Sequence, residues 1–171
     1  MPKEASLKAA LRRIRRRDNP RLPASLSELT RIPDKYRSIN GDQWLIRHSM
    51  TENCRYLLFG CNQTINAMSR SRIWYLDGTF KCRPLLFAQL YVIHYEYQDH
   101  VIPGIFVLME NKTQRSYNDV FGAIRDRMPE DLRTGPSHFS MDFELGAANA
   151  FKEVFENTEE AFCFFHLTQT L

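Results

Sequence analysis

Between Leu85 and Pro129 the apolar pattern changes period once, and that change restricts the fold more than any other stretch of the chain. Leu85 to Tyr97 is dense in aromatic and branched residues, Gln98-Asp99-His100 has turn chemistry, and Val101 to Met109 is apolar again, so the pair predicts an antiparallel hairpin. Pro103 has no N–H to give to a ladder, so the second arm should carry a bulge or an exposed edge there. Beyond the hairpin, Thr113 can cap a helix whose apolar positions Tyr117, Val120, Phe121, Ile124 and Met128 follow the helical repeat and stop before Pro129. Two strands followed by a one-sided helix call for a sheet with a helix laid on it.

The flanks extend that pattern. Tyr56 to Phe59 reads as a short strand, Asn62 to Met68 as a helix with Ile65 and Met68 inward, and Ile73 to Leu76 as a strand ending at Asp77. Downstream, Ser137 to Met141 forms a strand leading into Asp142, and Ala147, Ala148, Phe151, Val154 and Phe155 share one face of a second helix. Ala161 to Phe165 is an apolar strand stopping at His166, and Leu167 to Leu171 has room for one helical turn. Strand, hairpin, helix, strand, helix, strand is an α/β order with early antiparallel strands and later strands added through helical crossovers. It matches an RNase H-like mixed sheet flanked by helices, incomplete at the C-terminus. In that architecture the first and fourth strands are neighbours, which would bring Asp77 and Asp142 side by side.

A chain of 171 residues with 43% hydrophobic content can bury a core and lacks the composition of a disordered segment. The net charge of +3 is unevenly placed: residues 1–31 hold nine Lys/Arg against Glu4, Asp18 and Glu28, which leaves −3 for the remainder. Leu7, Leu11 and Ile14 recur at helical spacing while Arg12, Arg13, Arg15, Arg16 and Arg17 crowd the other positions. Pro20, Pro23 and Pro33 follow, so residues 1–42 are expected to be a basic helix and Pro-rich linker, and residues 43–171 the domain. Three readings of the arginine cluster stand open: a solvated tail, a nuclear import signal, and a nonspecific phosphate-binding arm. Cys54, Cys61, Cys82 and Cys163 lack the spacing of a secreted disulfide scaffold, and no stretch reads as a signal peptide or membrane span. The expected compartment is reducing, nucleus or alternatively cytoplasm. Asn-x-Thr triplets at Asn62 and Asn111 are then turn or helix-start residues.

Asp77 ends the apolar run Ile73-Trp74-Tyr75-Leu76, and Asp142 follows Phe139-Ser140-Met141 in the same way. A carboxylate at the lip of a buried strand is costly to desolvate unless a positive group faces it, so two in matching settings point to a shared hard cation.

The residues Asp77-Gly78-Thr79-Phe80-Lys81, Pro84, Phe87, Gln89-Leu90-Tyr91, Ile93-His94, Pro103, Asn111-Lys112-Thr113, Tyr117, Asp142-Phe143-Glu144 and Cys163-Phe164-Phe165-His166 with Gln169 form an ordered series. Together they resemble the catalytic domain of Mutator-like element (MULE) transposases, over about Arg70 to Leu171. The resemblance implies a DDE-type mechanism in an RNase H-like fold. Asp77 and Asp142 would be the first two catalytic, metal-binding acids, Mg²⁺ or Mn²⁺ the cofactor, and transposon ends and target DNA the partners. Cys163, His166 and Glu144 would be active-site neighbours. Lys81 joins Arg12, Arg13, Arg15, Arg16 and Arg17 as an expected nucleic-acid contact, and self-association into a homo-oligomer is left open. The resemblance places the third acid, a Glu, on a helix beyond the Cys-x-x-His element. The sequence stops at Leu171, before such a helix, so cleavage and strand transfer are expected to be impaired.

Bland alternatives stand beside these. Asp77-Gly78 is also a common turn pair, and Asp142 and Glu144 could simply complement a helix N-terminus. Cys163 and His166 are equally readable as a buried thiol and a satisfied histidine, since a closed zinc site needs four ligands. His94 reads as structural. The functional alternative is a non-catalytic, domesticated transposase-derived protein that binds DNA or regulates.

Overall fold

The computed structural model describes residues 8–11, 13, 14, 23–79, 82–142 and 144–162. Strands are β1 (Ser38–Ile39), β2 (Asp42–Gln43), β3 (Leu45–Thr51), β4 (Cys54–Phe59), β5 (Ile73–Thr79), β6 (Gln89–Tyr97), β7 (His100–Met109), β8 (His138–Met141) and β9 (Glu159–Phe162). Three α-helices matter for the site: α1 (Asn62–Ser69), α2 (Gln114–Arg125) and α3 (Leu145–Val154). The small β1–β2 hairpin stands apart, and the other seven strands form one sheet in the order β3-β4-β7-β6-β5-β8-β9.

Counted from β5, the part β7-β6-β5-β8-β9 is the expected RNase H-like arrangement. β5, β6 and β7 are antiparallel, and β8 and β9 are added parallel to β5 through helical crossovers. The β6–β7 register slips between Ile93 and His94, where Ile93 faces Ile105 and His94 faces Pro103. This is the expected bulge at the proline that cannot donate. The strand predicted from Leu85 begins only at Gln89, because the stretch around Pro84 turns instead. Val101 to Met109 is extended as expected, and the Gln98-Asp99 turn uses positive φ at both residues, 48° and 61°.

Alternation along the strands assigns the two faces. Tyr56, Leu58, Trp74, Leu76, Tyr91, Ile93, Val107 and Met109 join Ile65 and Met68 of α1, Tyr117, Val120, Phe121 and Ile124 of α2, and Phe151 of α3 in the main core. Leu57, one residue out of phase, lies on the opposite face with Leu45, Phe87, Leu26 and Ile32. Residues of the Pro-rich stretch thus supply Leu26 and Ile32 to a second apolar layer, and His48 Nε2 on β3 contacts the Leu29 carbonyl at 3.0 Å. Pro and Ser in that stretch exclude regular ladders, but isolated apolar side chains still gain by leaving water. β3, which pairs with β4, was not legible in the sequence because its alternation is interrupted by Arg47 and His48.

The helices start where side-chain chemistry stops the strands. Thr113 caps α2 by accepting from the Ser116 N–H, as expected, and Cys61 caps α1 through the Thr64 N–H. Met128, the last residue of the predicted stripe, is buried in the turn after α2 rather than on it. Among the described residues, no helix is long and apolar enough to cross a membrane.

Candidate active site

The parallel β5–β8 pairing runs Ile73 with His138, Trp74 with Phe139, Tyr75 with Ser140 and Leu76 with Met141. Asp77 and Asp142 are therefore the next register step, one residue beyond the last paired position on adjacent strands about 4.8 Å apart. Leu76 and Met141 are buried in the main core, so each acid follows an anchored apolar residue. Asp77 is exposed and Asp142 half-buried.

Asp77-Gly78 is not a turn: both residues lie within β5, paired with Val92 and Tyr91 of β6. Gly78 has a different reason to be glycine. A Cβ there would lie 2.9 Å from Gln89 Oε1 and 3.6 Å from Tyr91 Cδ2. The absent side chain lets two buried polar side chains of β6 approach the acid-bearing strand.

Glu144 sits at the N-cap position of α3, but its side chain caps no N–H there. Instead Oε1 accepts a 2.8 Å hydrogen bond from the Tyr117 hydroxyl, and Oε2 faces Lys112 Nζ at 3.5 Å. The Tyr117 hydroxyl in turn accepts from Gln89 Nε2 at 2.5 Å. Burial first, and then the carboxylates of Glu144 and Asp142, hold the Tyr117 phenol well above its ordinary ionisation range, while the Gln89 bond opposes the shift. Tyr91, fully buried beside it with ring centroids 5.2 Å apart, is raised by burial and by the fields of Tyr117, Asp142, Glu144 and Asp77. Its hydroxyl has no hydrogen-bond partner among the described residues. Gln89, Tyr91, Tyr117 and Lys112 thus surround Glu144 beside Asp142 on the core side of the sheet, whereas Asp77, paired with Val92 and so out of phase with Gln89 and Tyr91, is exposed. Gln89, Tyr91, Lys112 and Tyr117 stand in the series that resembles the family but were given no site role there, because Tyr91 and Tyr117 look like core positions of a strand and a helix.

The family model described as the MULE transposase domain matches residues 73–170, more than half of the chain. The chain belongs to the MULE transposase domain family. That membership gives it a transposase-related function and implies DNA as a partner. No curated protein matches the chain. The match opens at the first residue of β5, so it takes in the five-strand β5–β9 part of the sheet together with α2 and α3.

Of the other expected site residues, Arg12, Arg15, Arg16, Arg17, Lys81, Cys163 and His166 lie outside the described residues. Arg13 lies in a helical segment and is exposed, as are Leu11 and Ile14. His94 is half-buried in β6, facing Tyr75 and Pro103 across the ladders.

Mg²⁺ keeps several waters and is commonly held by one or two carboxylates plus substrate phosphates, whereas a closed structural site needs a full protein cage. Among the described residues no three His, Cys, Asp or Glu side chains gather into such a cage. Two carboxylates at one register step, Asp77 within β5 and Asp142 just past β8, with a buried phenol hydroxyl lacking a partner nearby, fit the first type of site and not the second.

Proposed function

We propose that the chain carries the RNase H-like catalytic core of a MULE-type transposase, acting on DNA phosphodiesters with Mg²⁺ or Mn²⁺ held by Asp77 and Asp142. The observation that carries this reading is the β5–β8 register, which sets the two acids at the same step of neighbouring parallel strands. A bound divalent cation supplies Lewis-acid stabilisation of charge on the phosphodiester oxygens. Asp77 and Asp142 would hold that cation between neighbouring strands and so set where the DNA phosphate binds. Lys112, beside Glu144, adds a positive charge that favours the approach of the polyanion. Transposon ends and target DNA are the substrates in this reading, residues 1–42 an accessory arm, and the nucleus the place of action.

A second reading, a non-catalytic DNA-binding or regulatory protein, is favoured by one observation: no third carboxylate joins Asp77 and Asp142 in a ligand group among the described residues. Mn²⁺ binding counted by electron paramagnetic resonance, run beside nicking of supercoiled plasmid, separates the two. The enzyme reading expects bound Mn²⁺ and metal-dependent nicking, both lost in Asp77→Asn and Asp142→Asn. Mn²⁺ binding and nicking untouched by either substitution would falsify the site assignment. Binding that both substitutions abolish, with no nicking by the wild type, selects the second reading.

A further inference from the structure

The connection from β8 to α3, which carries Asp142, is tied to the core by a buried chain of hydrogen bonds. The Glu144 backbone N–H donates to the Asp142 carbonyl at 2.7 Å, so the place of Glu144 sets the place of Asp142. Glu144 is held by Tyr117 of α2, and Tyr117 by Gln89 of β6, with bonds of 2.8 and 2.5 Å. Gln89 and Tyr117 are both fully buried, and the Tyr117 ring is locked between Tyr91 and Phe121 at centroid distances of 5.2 and 5.9 Å. Nε2 of Gln89 also contacts Met109 Sδ at 3.3 Å, which fixes the amide orientation. On its other side the Gln89 carbonyl oxygen abuts Gly78, the residue next to Asp77.

One chain of contacts therefore runs from the strand bearing the first acid to the loop bearing the second. A sheet and a helix do not need it to pack: a phenylalanine and an aliphatic side chain would fill the same core without placing polar atoms there. Burying an amide and a phenol is costly unless their bonds are made, and here Gln89 Nε2 and the Tyr117 hydroxyl make theirs toward the acidic loop, while Gln89 Oε1, against Gly78, has no hydrogen-bond partner among the described residues.

We propose that Gln89 and Tyr117 are positioning residues: through Glu144 they fix Asp142 relative to Asp77 so that both carboxylates reach one divalent cation. This rests on the reading of Asp77 and Asp142 as metal ligands. Tyr117→Phe and Gln89→Met each remove one link, keep the volume nearly constant and change no charge, so a loss of cation affinity in either must come from geometry and not from the field at the site. Loss of groups that orient metal ligands typically costs about 10–100-fold in affinity.

The test titrates Mn²⁺ into wild type, Tyr117→Phe, Gln89→Met, Asp77→Asn and Asp142→Asn by electron paramagnetic resonance, with a thermal melt of each. The expected result is a fall of about 10-fold or more in Mn²⁺ affinity for Tyr117→Phe and Gln89→Met in variants that still melt cooperatively. Wild-type affinity in either folded variant, with binding lost in the two Asp→Asn variants, overturns the positioning role and leaves the metal site standing. Equal Mn²⁺ binding by wild type and both Asp→Asn variants overturns the underlying reading instead. Should Tyr117→Phe melt below the titration temperature, Gln89→Met alone decides.

Discussion

Gly78→Ala tests whether the approach of β6 to the acid-bearing strand is as tight as the packing indicates. The added methyl would stand 2.9 Å from Gln89 Oε1, closer than carbon and oxygen atoms tolerate, while the next contact, Tyr91 Cδ2 at 3.6 Å, is ordinary. Gln89 must move, yet its amide is buried and held by Tyr117 and Met109. Alanine in a strand gains about 0.5–1 kcal/mol over glycine. Against this, a displaced amide forfeits a hydrogen bond worth about 0.5–1.5 kcal/mol and leaves a buried polar group unsatisfied at about 1–3 kcal/mol. The loss exceeds the gain, for a net destabilisation of roughly 1–3 kcal/mol, which at roughly 2–4 °C per kcal/mol for a chain of this size lowers the melting temperature by several degrees. Urea and thermal melts of Gly78→Ala in the wild-type and Gln89→Ala backgrounds complete the cycle. Removing the Gln89 side chain takes away the clash, so Gly78→Ala should there become neutral or stabilising. Equal effects in both backgrounds, or a Gly78→Ala protein as stable as wild type, would refute the argument.

Two further outcomes follow from the core and the arm. Phe151 is fully buried between Phe139, Phe155, Phe121 and Trp74, with ring centroids 4.5, 4.8, 5.1 and 5.9 Å away, so Phe151→Ala should cost about 3–5 kcal/mol in urea melts, and a loss below about 1 kcal/mol would contradict this packing. His48 is held below its ordinary ionisation range, chiefly by desolvation and also by Arg37, although its bond to the Leu29 carbonyl opposes the shift. A base whose folded pKa is depressed lends stability that is whole above the unfolded value of 6.5 and fades as pH falls below it toward the folded value. The melting temperature should therefore drop more between pH 7.5 and pH 5 in wild type than in His48→Gln, and parallel curves would count against the docked arm.

Much of the fold was legible because hydrophobic period is a local property. The hairpin, the Thr113-capped helix, the bulge at Pro103 and the two strands that lead to the acids each follow from residues within one element, although β5 runs past Asp77 to Thr79 instead of ending there. β3 and the buried arm residues Leu26 and Ile32 were not legible. Arg47 and His48 obscure the alternation of an edge strand, and a Pro-rich stretch shows no period even where single side chains find a sheet to cover. Glu144 was legible as a neighbour of Asp142 but equally as a helix-start acid. Its actual partners, Tyr117 and Lys112, lie 27 and 32 residues away in sequence.

By itself the sequence determined which segments become strands and helices, which of their faces turn inward, and the family to which residues 73–170 belong. Those properties depend on spacing along the chain. Only the tertiary structure decided that Gly78 serves a close approach rather than a turn, and that a glutamine and a tyrosine from β6 and α2 reach the loop after β8. The reason is that hydrogen bonds between distant elements depend on register and packing across the sheet, which no local pattern encodes.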